Sequence, residues 1–208
     1  MRRITVTVEA HALHRGEPRM TDHPGPPPVG GLLLPALAPP LPGDRRDSPE
    51  TIRRWLASAS KSPEQALREW AGQSITLLPL GRRYSAVRIP GALVPEGVTE
   101  DAAVEPGFDA VRDVLAVLGG PVIHDRLTVG GSYYALVPRG RTDVWPFPDD
   151  APYLDDGVWL GVPDIAHVGF PGSFWLIPPR YQGDLCGLDL VSDFVLQATQ
   201  AADAGGGQ

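Results

Sequence analysis

Apolar residues recur at helical spacing in four stretches of the chain, and they alternate or run together in five or six others. In "SPETIRRWLASAS" the residues Ile52, Trp55, Leu56 and Ala59 fall on one helical face. Ser48 stands where an N-cap belongs, Pro49 suits the first helical position, and Glu50 favours the positive end of the helix. "SPEQALREWAG" repeats the pattern: Ser62 caps, Pro63 starts, Gly72 ends, and Leu67, Trp70 and Ala71 face inward. "FDAVRDVLAVLGG" places Phe108, Val111, Val114, Leu115 and Leu118 on one face, and "LDLVSDFVLQATQA" does the same with Leu188, Val191, Phe194, Val195 and Ala198. Between these lie the strand patterns. "SITLLPL" is nearly continuous and reads as a central strand, while "YSAVRIP" alternates. "PVIHD", "SYYALVP", "GVWLGVP" and "SFWLIPP" complete the set.

Helices grouped around strands, without strict alternation, predict an α+β fold: a mixed or antiparallel sheet of about five or six strands packed with about four helices. The stretch from Arg139 to Asp156 reads as a long loop, and Val94 to Gly107 as an acidic, turn-rich connection. Residues 1–47 are rich in Pro, Gly and Arg, with too little apolar periodicity to offset ordering entropy, so a disordered arm is expected there. A single domain is expected over 48–200, followed by a fraying tail over 201–208.

Composition narrows the classes. The chain has 208 residues and a formal net charge of −7, which argues against a broad basic face for duplex DNA. Seventeen of the 18 basic residues are arginine, a bias that fits a GC-rich bacterial genome. The single cysteine, Cys186, excludes an intrachain disulfide or a cysteine-based zinc site, and a reducing cytoplasm fits. The run "VGGLLLPALAPPLPG" is shorter than the roughly 20 apolar residues a spanning helix needs, and prolines interrupt it. Neither a membrane span nor a secretory signal is expected.

Candidate chemistry is sparse. Gly119–Gly120 and Gly130–Gly131 fit neither a P-loop nor a dinucleotide fingerprint, and they read first as a helix end and a turn. His124 and Asp125 end a strand and offer a base or two metal ligands. A metal site would also need His167 or acids between Asp149 and Asp156, so the plainer expectation is a half-buried histidine and no metal. Cys186 precedes the last helix, where it can act as a nucleophile with a histidine or, more simply, fill apolar space. Aromatics crowd the C-terminal half: Tyr133, Tyr134, Trp145, Trp159, Phe174, Trp175 and Tyr181, with Arg139, Arg141 and Arg180 nearby. Beside basic residues such rings stack single-stranded bases; along strands they pack cores. In "SYYALV" one tyrosine must face in and the other out.

Four segments in order carry a family resemblance. "WAGQSITLLPLG", "YSAVRIP", "GGSYYALVP" and "WLGVPDIAHVGFPGSFWLIPP" resemble successive motifs of the bifunctional primase–polymerase N-terminal domain, within the archaeo-eukaryotic primase superfamily. The resemblance spans roughly Leu67 to Tyr181 and implies a primase/polymerase-like α+β fold with a nucleotide groove. In that family two strand carboxylates hold the catalytic metals. Here the matching stretch is Val87, Arg88, Ile89, and the histidine after Gly-Gly is replaced by Tyr133. The resemblance therefore implies a catalytically degenerate, cofactor-free domain, whose groove candidates are Arg88, His124, Asp125, Gly130, Gly131, Tyr133, Arg139 and Arg180. Its expected role is a nucleotide- or nucleic-acid-binding or regulatory module, with nucleotide, single-stranded nucleic acid or a protein as partner. Two rivals stand beside it. One is a protein–protein interaction adaptor without a small-molecule site, in which the arm before Ser48 docks a partner. The other is a hydrolase using Cys186 or His124.

Overall fold

The computed structural model describes residues 45–94, 107–127, 130–169 and 171–205. Residues 1–44 of the expected arm, the turn-rich stretch 95–106 and the side chain of Phe108 lie outside the described residues. In chain order the elements are α1 (Pro49–Ala57), α2 (Pro63–Gly72), β1 (Ile75–Pro79), β2 (Ser85–Pro90), α3 (Gly107–Leu115), β3 (Val122–Asp125), β4 (Ser132–Val137), β5 (Tyr153–Leu154), β6 (Trp159–Pro163), β7 (Phe174–Ile177) and α4 (Leu188–Gly205). The fold is α+β, as the pattern predicts. Its strands form two sheets: a five-stranded sheet of order β5-β2-β4-β3-β7 and a two-stranded ribbon of β1 and β6. All the pairings are antiparallel. Among the described residues, no helix is long and apolar enough to cross a membrane.

Because side chains alternate across a strand, the five-stranded sheet divides its residues between two cores. Val87, Ile89, Val122, Tyr133, Ala135, Val137, Phe174 and Leu176 pack with Val111 and Leu115 of α3 and with Val191 and Val195 of α4. On the opposite face, Ala86, Ile123, Leu136 and Trp175 meet Leu56 of α1, Trp70 of α2, and Leu78, Leu160 and Val162 of the ribbon. Two indole N–H groups tie this second core together: Trp70 Nε1 donates to the Val162 carbonyl at 2.9 Å, and Trp175 Nε1 to the Pro163 carbonyl at 3.0 Å. Buried indoles need such acceptors, so the pair fixes β6 against both α2 and the main sheet.

Local structure departs from the sequence pattern at a few places. The Ser48 hydroxyl accepts from the Thr51 N–H at 3.2 Å and caps α1, whereas the Ser62 hydroxyl makes no cap on α2. In α2 the buried alanine is Ala66, and Ala71 is exposed. β1 is a ribbon strand, not a central one, and Leu77 in its middle points to solvent. The 139–156 stretch is held down instead of hanging free. Within it Trp145 is buried and donates to the Ala151 carbonyl at 2.7 Å, and β5 joins the edge of the sheet. Asp155 then accepts from Ser85 Oγ at 2.5 Å and from the Gly140 N–H at 3.2 Å. The expected tail begins later than residue 201, since α4 continues to Gly205. At the other boundary, Asp47 already belongs to the fold: its N–H donates to the Arg180 carbonyl at 2.9 Å, and its carboxylate accepts from the Gln182 N–H at 2.8 Å.

One charged pair closes the crossover into α4. Arg180 meets Asp184 through Nε at 2.9 Å and Nη2 at 2.8 Å, and Nη2 also donates to the Gly119 carbonyl at 2.8 Å. The Asp184 side chain is only 1% exposed, so its charge depends on this guanidinium. Gly120 lies directly beneath the loop that follows: a Cβ there would sit 2.3 Å from the Cys186 nitrogen. Arg180→Ala strands the buried carboxylate and is expected to lower the unfolding free energy by about 2–3 kcal/mol. Urea denaturation checks this, and a loss under about 1 kcal/mol would show that Asp184 finds another partner.

Candidate functional site

The eight sequence-predicted groove residues do not line one groove. Strand register divides them. Across β2, β4 and β3, Arg88 is opposite Tyr134, Tyr134 is opposite Ile123, and Asp125 is opposite Ser132. Directly opposed residues share a face, so Arg88, Tyr134, Asp125 and Ser132 gather on the side of the sheet that also carries Ile123 and Trp175. The α1/α2 layer covers the Ala86 and Leu136 end of this face, while at the other end Arg88 is exposed and Tyr134 and Asp125 are partly so. Burial raises the Tyr134 phenol pKa, the Asp125 charge adds to that, and Arg88 opposes it. Asp125 Oδ1 accepts from Ser173 Oγ at 3.1 Å and from the Leu127 N–H at 3.0 Å.

His124 and Tyr133 occupy the other face and are core residues. Their rings stack at 4.6 Å with planes 13° apart, and Phe174 meets His124 edge-on at 5.3 Å. Burial, helped by the Arg126 charge and opposed by Asp125, pulls the His124 pKa down to about 4. The imidazole, 3% exposed, is therefore neutral at physiological pH. Gly130 and Gly131 form the β3–β4 turn with φ of 79° and 72°, a backbone that favours glycine. The Gly131 carbonyl accepts from the Gly91 N–H at 3.1 Å, so the turn closes against the end of β2. The glycines shape a turn. Arg139 lies beyond the far end of β4, in a shallow cavity of about 690 Å³ with Arg141, Trp145 and Ser192. Arg180 is held by Asp184, as described above.

Cys186 is a core residue as well. It is 1% exposed, its thiol donates to the Pro121 carbonyl, and burial pushes its pKa up to about 12. That environment disfavours the thiolate a nucleophile needs. Among the described residues, no three His, Cys, Asp or Glu side chains converge as a metal site requires.

The larger concave surface is elsewhere. A groove of about 980 Å³ runs between α2 and the β1–β6 ribbon. Gln65, Ala66 and Glu69 on one face of α2, with Gln73 just past its end, form one wall. Ile75, Leu77 and Pro79 of β1 and Trp159 of β6 form its floor and far wall. Pro79 stands opposite Trp159 and Leu77 opposite Gly161, which puts all four on the outer face of the ribbon. Leu77 is 63% exposed and Trp159 61% exposed, so two large apolar side chains sit together in solvent. Lys61 and Arg82 line the end near Pro79, where Asp156 also lies. Arg82 Nη1 donates to the Ala59 carbonyl at 2.8 Å, which fixes the α1–α2 turn beside the β1–β2 turn. Glu69 is held in place, accepting from Thr76 Oγ1 and from Gln65 Nε2, and those bonds lower its pKa.

The groove is hidden in the sequence because "SITLLPL" reads as a buried strand. The available signals were Pro79 and Pro163, which cannot donate in a ladder and belong on strand edges. No family model, curated protein or solved structure matches this chain.

The buried histidine carries a pH signature. His124 binds its proton near pH 4 in the folded chain, against 6.5 for an unperturbed imidazole. The unfolded chain thus takes up a proton that the fold refuses, and stability should fall as pH drops from about 6.5 towards 4. His124→Phe, which keeps a ring against Tyr133, should flatten that part of the stability–pH curve. An unchanged slope between wild type and variant in urea titrations would remove His124 from the account.

Proposed function

We propose that this chain is a protein-interaction module, acting by binding and not by catalysis, with the groove between α2 and the β1–β6 ribbon as its contact surface. The observation that carries this reading is the adjacent exposure of Leu77 and Trp159 on the wall of the 980 Å³ groove. Leaving a large apolar side chain in water forgoes roughly 1.5–3 kcal/mol of burial, and here two such residues lie on one patch. Tryptophan in a concave, apolar setting with a charged rim is the usual chemistry of an interface anchor. The groove lacks the features of a catalytic centre: its carboxylates are Glu69, committed to Thr76 and Gln65, and Asp156 on the rim.

A second reading keeps the primase/polymerase-like resemblance. Tyr134 lies between Arg88 and Asp125 on the open end of the main sheet, an aromatic with one cation beside it. A degenerate nucleotide or single-strand platform would use that ring for stacking and Arg88 for phosphate. The neighbouring Asp125 and the net charge of −7 weigh against strong phosphate binding there. In that resemblance the stretch matching the family's metal ligands is Val87, Arg88 and Ile89, which carries no acid, so neither reading includes metal-dependent phosphoryl transfer.

One set of variants separates them. Trp159→Ser and Leu77→Ser should fold normally, because both side chains already lie in water, and should lose at least about tenfold of a stoichiometric protein partner recovered with wild type. Arg88→Ala should retain that partner. If instead a labelled oligothymidylate binds in a salt-dependent way and Arg88→Ala abolishes this, the sheet platform is the site. Partner recovery unaffected by Trp159→Ser would overturn the groove reading.

A further inference from the structure

The parity of the β1–β6 ladder determines what kind of partner the groove recognises. The Asp164 N–H donates to the Ser74 carbonyl at 2.7 Å, and the Leu80 N–H to the Val158 carbonyl at 2.9 Å. With Thr76 opposite Val162 and Leu78 opposite Leu160, the even-numbered residues of β1 are the ones that bond to β6. The N–H and C=O groups of Ile75 and Leu77 therefore point away from β6, and both residues line the groove. Among the described residues, no backbone or side-chain group bonds to them. β1 is thus an open strand edge set alongside a helix, with space enough for an extended segment of several residues. An open edge is a template for another strand. Pro79, lacking an N–H, limits that template to the Ile75–Leu77 portion.

Resting on the interaction-module reading, we propose that the partner is an extended peptide segment that adds to the free edge of β1 as a third strand. Main-chain bonds to Ile75 and Leu77 hold it, as in other cases of strand addition, and its side chains alternate between two environments. One set meets Leu77 and Trp159, and so is apolar. At the Pro79 end the segment reaches Lys61 and Arg82, neither of which is in an ion pair among the described residues. Asp156 offsets part of that charge, leaving a net positive end suited to one acidic side chain or a terminal carboxylate. The occupant is thus an extended, alternately apolar peptide with an acidic end.

The test uses the full chain and a fluorescein-labelled pool of heptapeptides carrying Val, Ile or Leu at every second position and Glu at the C-terminal one. The selected peptide is then resynthesised with single backbone N-methyl groups, each of which removes one donor. Strand addition predicts that methylation weakens binding about tenfold at one alternate set of positions and is tolerated at the other. Leu77→Ser and Trp159→Ser should weaken binding as well, and Lys61→Glu with Arg82→Glu should abolish the preference for terminal Glu over Lys. If every N-methyl position is tolerated while Trp159→Ser still abolishes binding, strand addition is wrong and the interaction-module reading survives. If no pool member binds, the peptide proposal fails, while co-purification with Trp159→Ser still judges the module. If the free chain sediments as a dimer that Leu77→Ser dissociates, the edge is occupied by a second copy and the proposal is overturned.

Discussion

A backbone amide in a sheet must find a partner or meet water, and among the described residues the β1–β6 ribbon supplies partners on one side of β1 only. Ser74, Thr76, Leu78 and Leu80 turn towards β6, and the intervening residues turn out. The same alternation sends Leu78, Leu160 and Val162 into the core and leaves Leu77 and Trp159 in solvent. The ribbon is anchored from beneath, by the indoles of Trp70 and Trp175 bonded to successive carbonyls of β6. A firmly held strand with an open edge and an apolar outer face differs physically from a frayed one. Its binding groups are already ordered, so a partner does not have to supply the entropy of ordering them.

Period-two alternation also decides the fate of the residues with chemical promise. His124 and Asp125 are neighbours in sequence and therefore opposites in space. The histidine stacks on Tyr133 in the core, while the aspartate stands with Tyr134 and Arg88 at the open end of the sheet. A His–Asp pair acting on one substrate would need both on one side. The fold separates them, and burial holds the imidazole neutral. Cys186 follows the same logic from a loop: its backbone bonds to Leu136, and its thiol is enclosed against Pro121.

The helices, most strands and the α+β class are legible in the sequence because they rest on local spacing. Ile52 and Leu56, Val111 and Leu115, and Val191 and Val195 are buried as their periodicity predicts. One tyrosine of "SYYALV" faces in and the other is partly open, as alternation requires. What local pattern cannot convey is which strands share a sheet. "SITLLPL" carries enough apolar residues for a central strand, and only its pairing with β6 alone leaves Leu77 uncovered. Trp159 reads as a core aromatic for the same reason. Arg180 shows the converse: an arginine near aromatics suggests a phosphate ligand, yet Asp184, four residues on, consumes its charge. The groove is a product of tertiary arrangement, α2 laid beside an unpaired edge, and no run of consecutive residues encodes it.

Among the described residues, β1 has one satisfied edge and one open edge. Amide hydrogen exchange in the dilute, monomeric chain tests it residue by residue. Thr76 and Leu78 should exchange slowly, at rates set by opening of the ribbon, while Ile75 and Leu77 between them should exchange close to the rate of an unprotected amide. Equal protection across all four would mean that the edge is already covered, and the account of the groove as a docking site for an added strand would be contradicted.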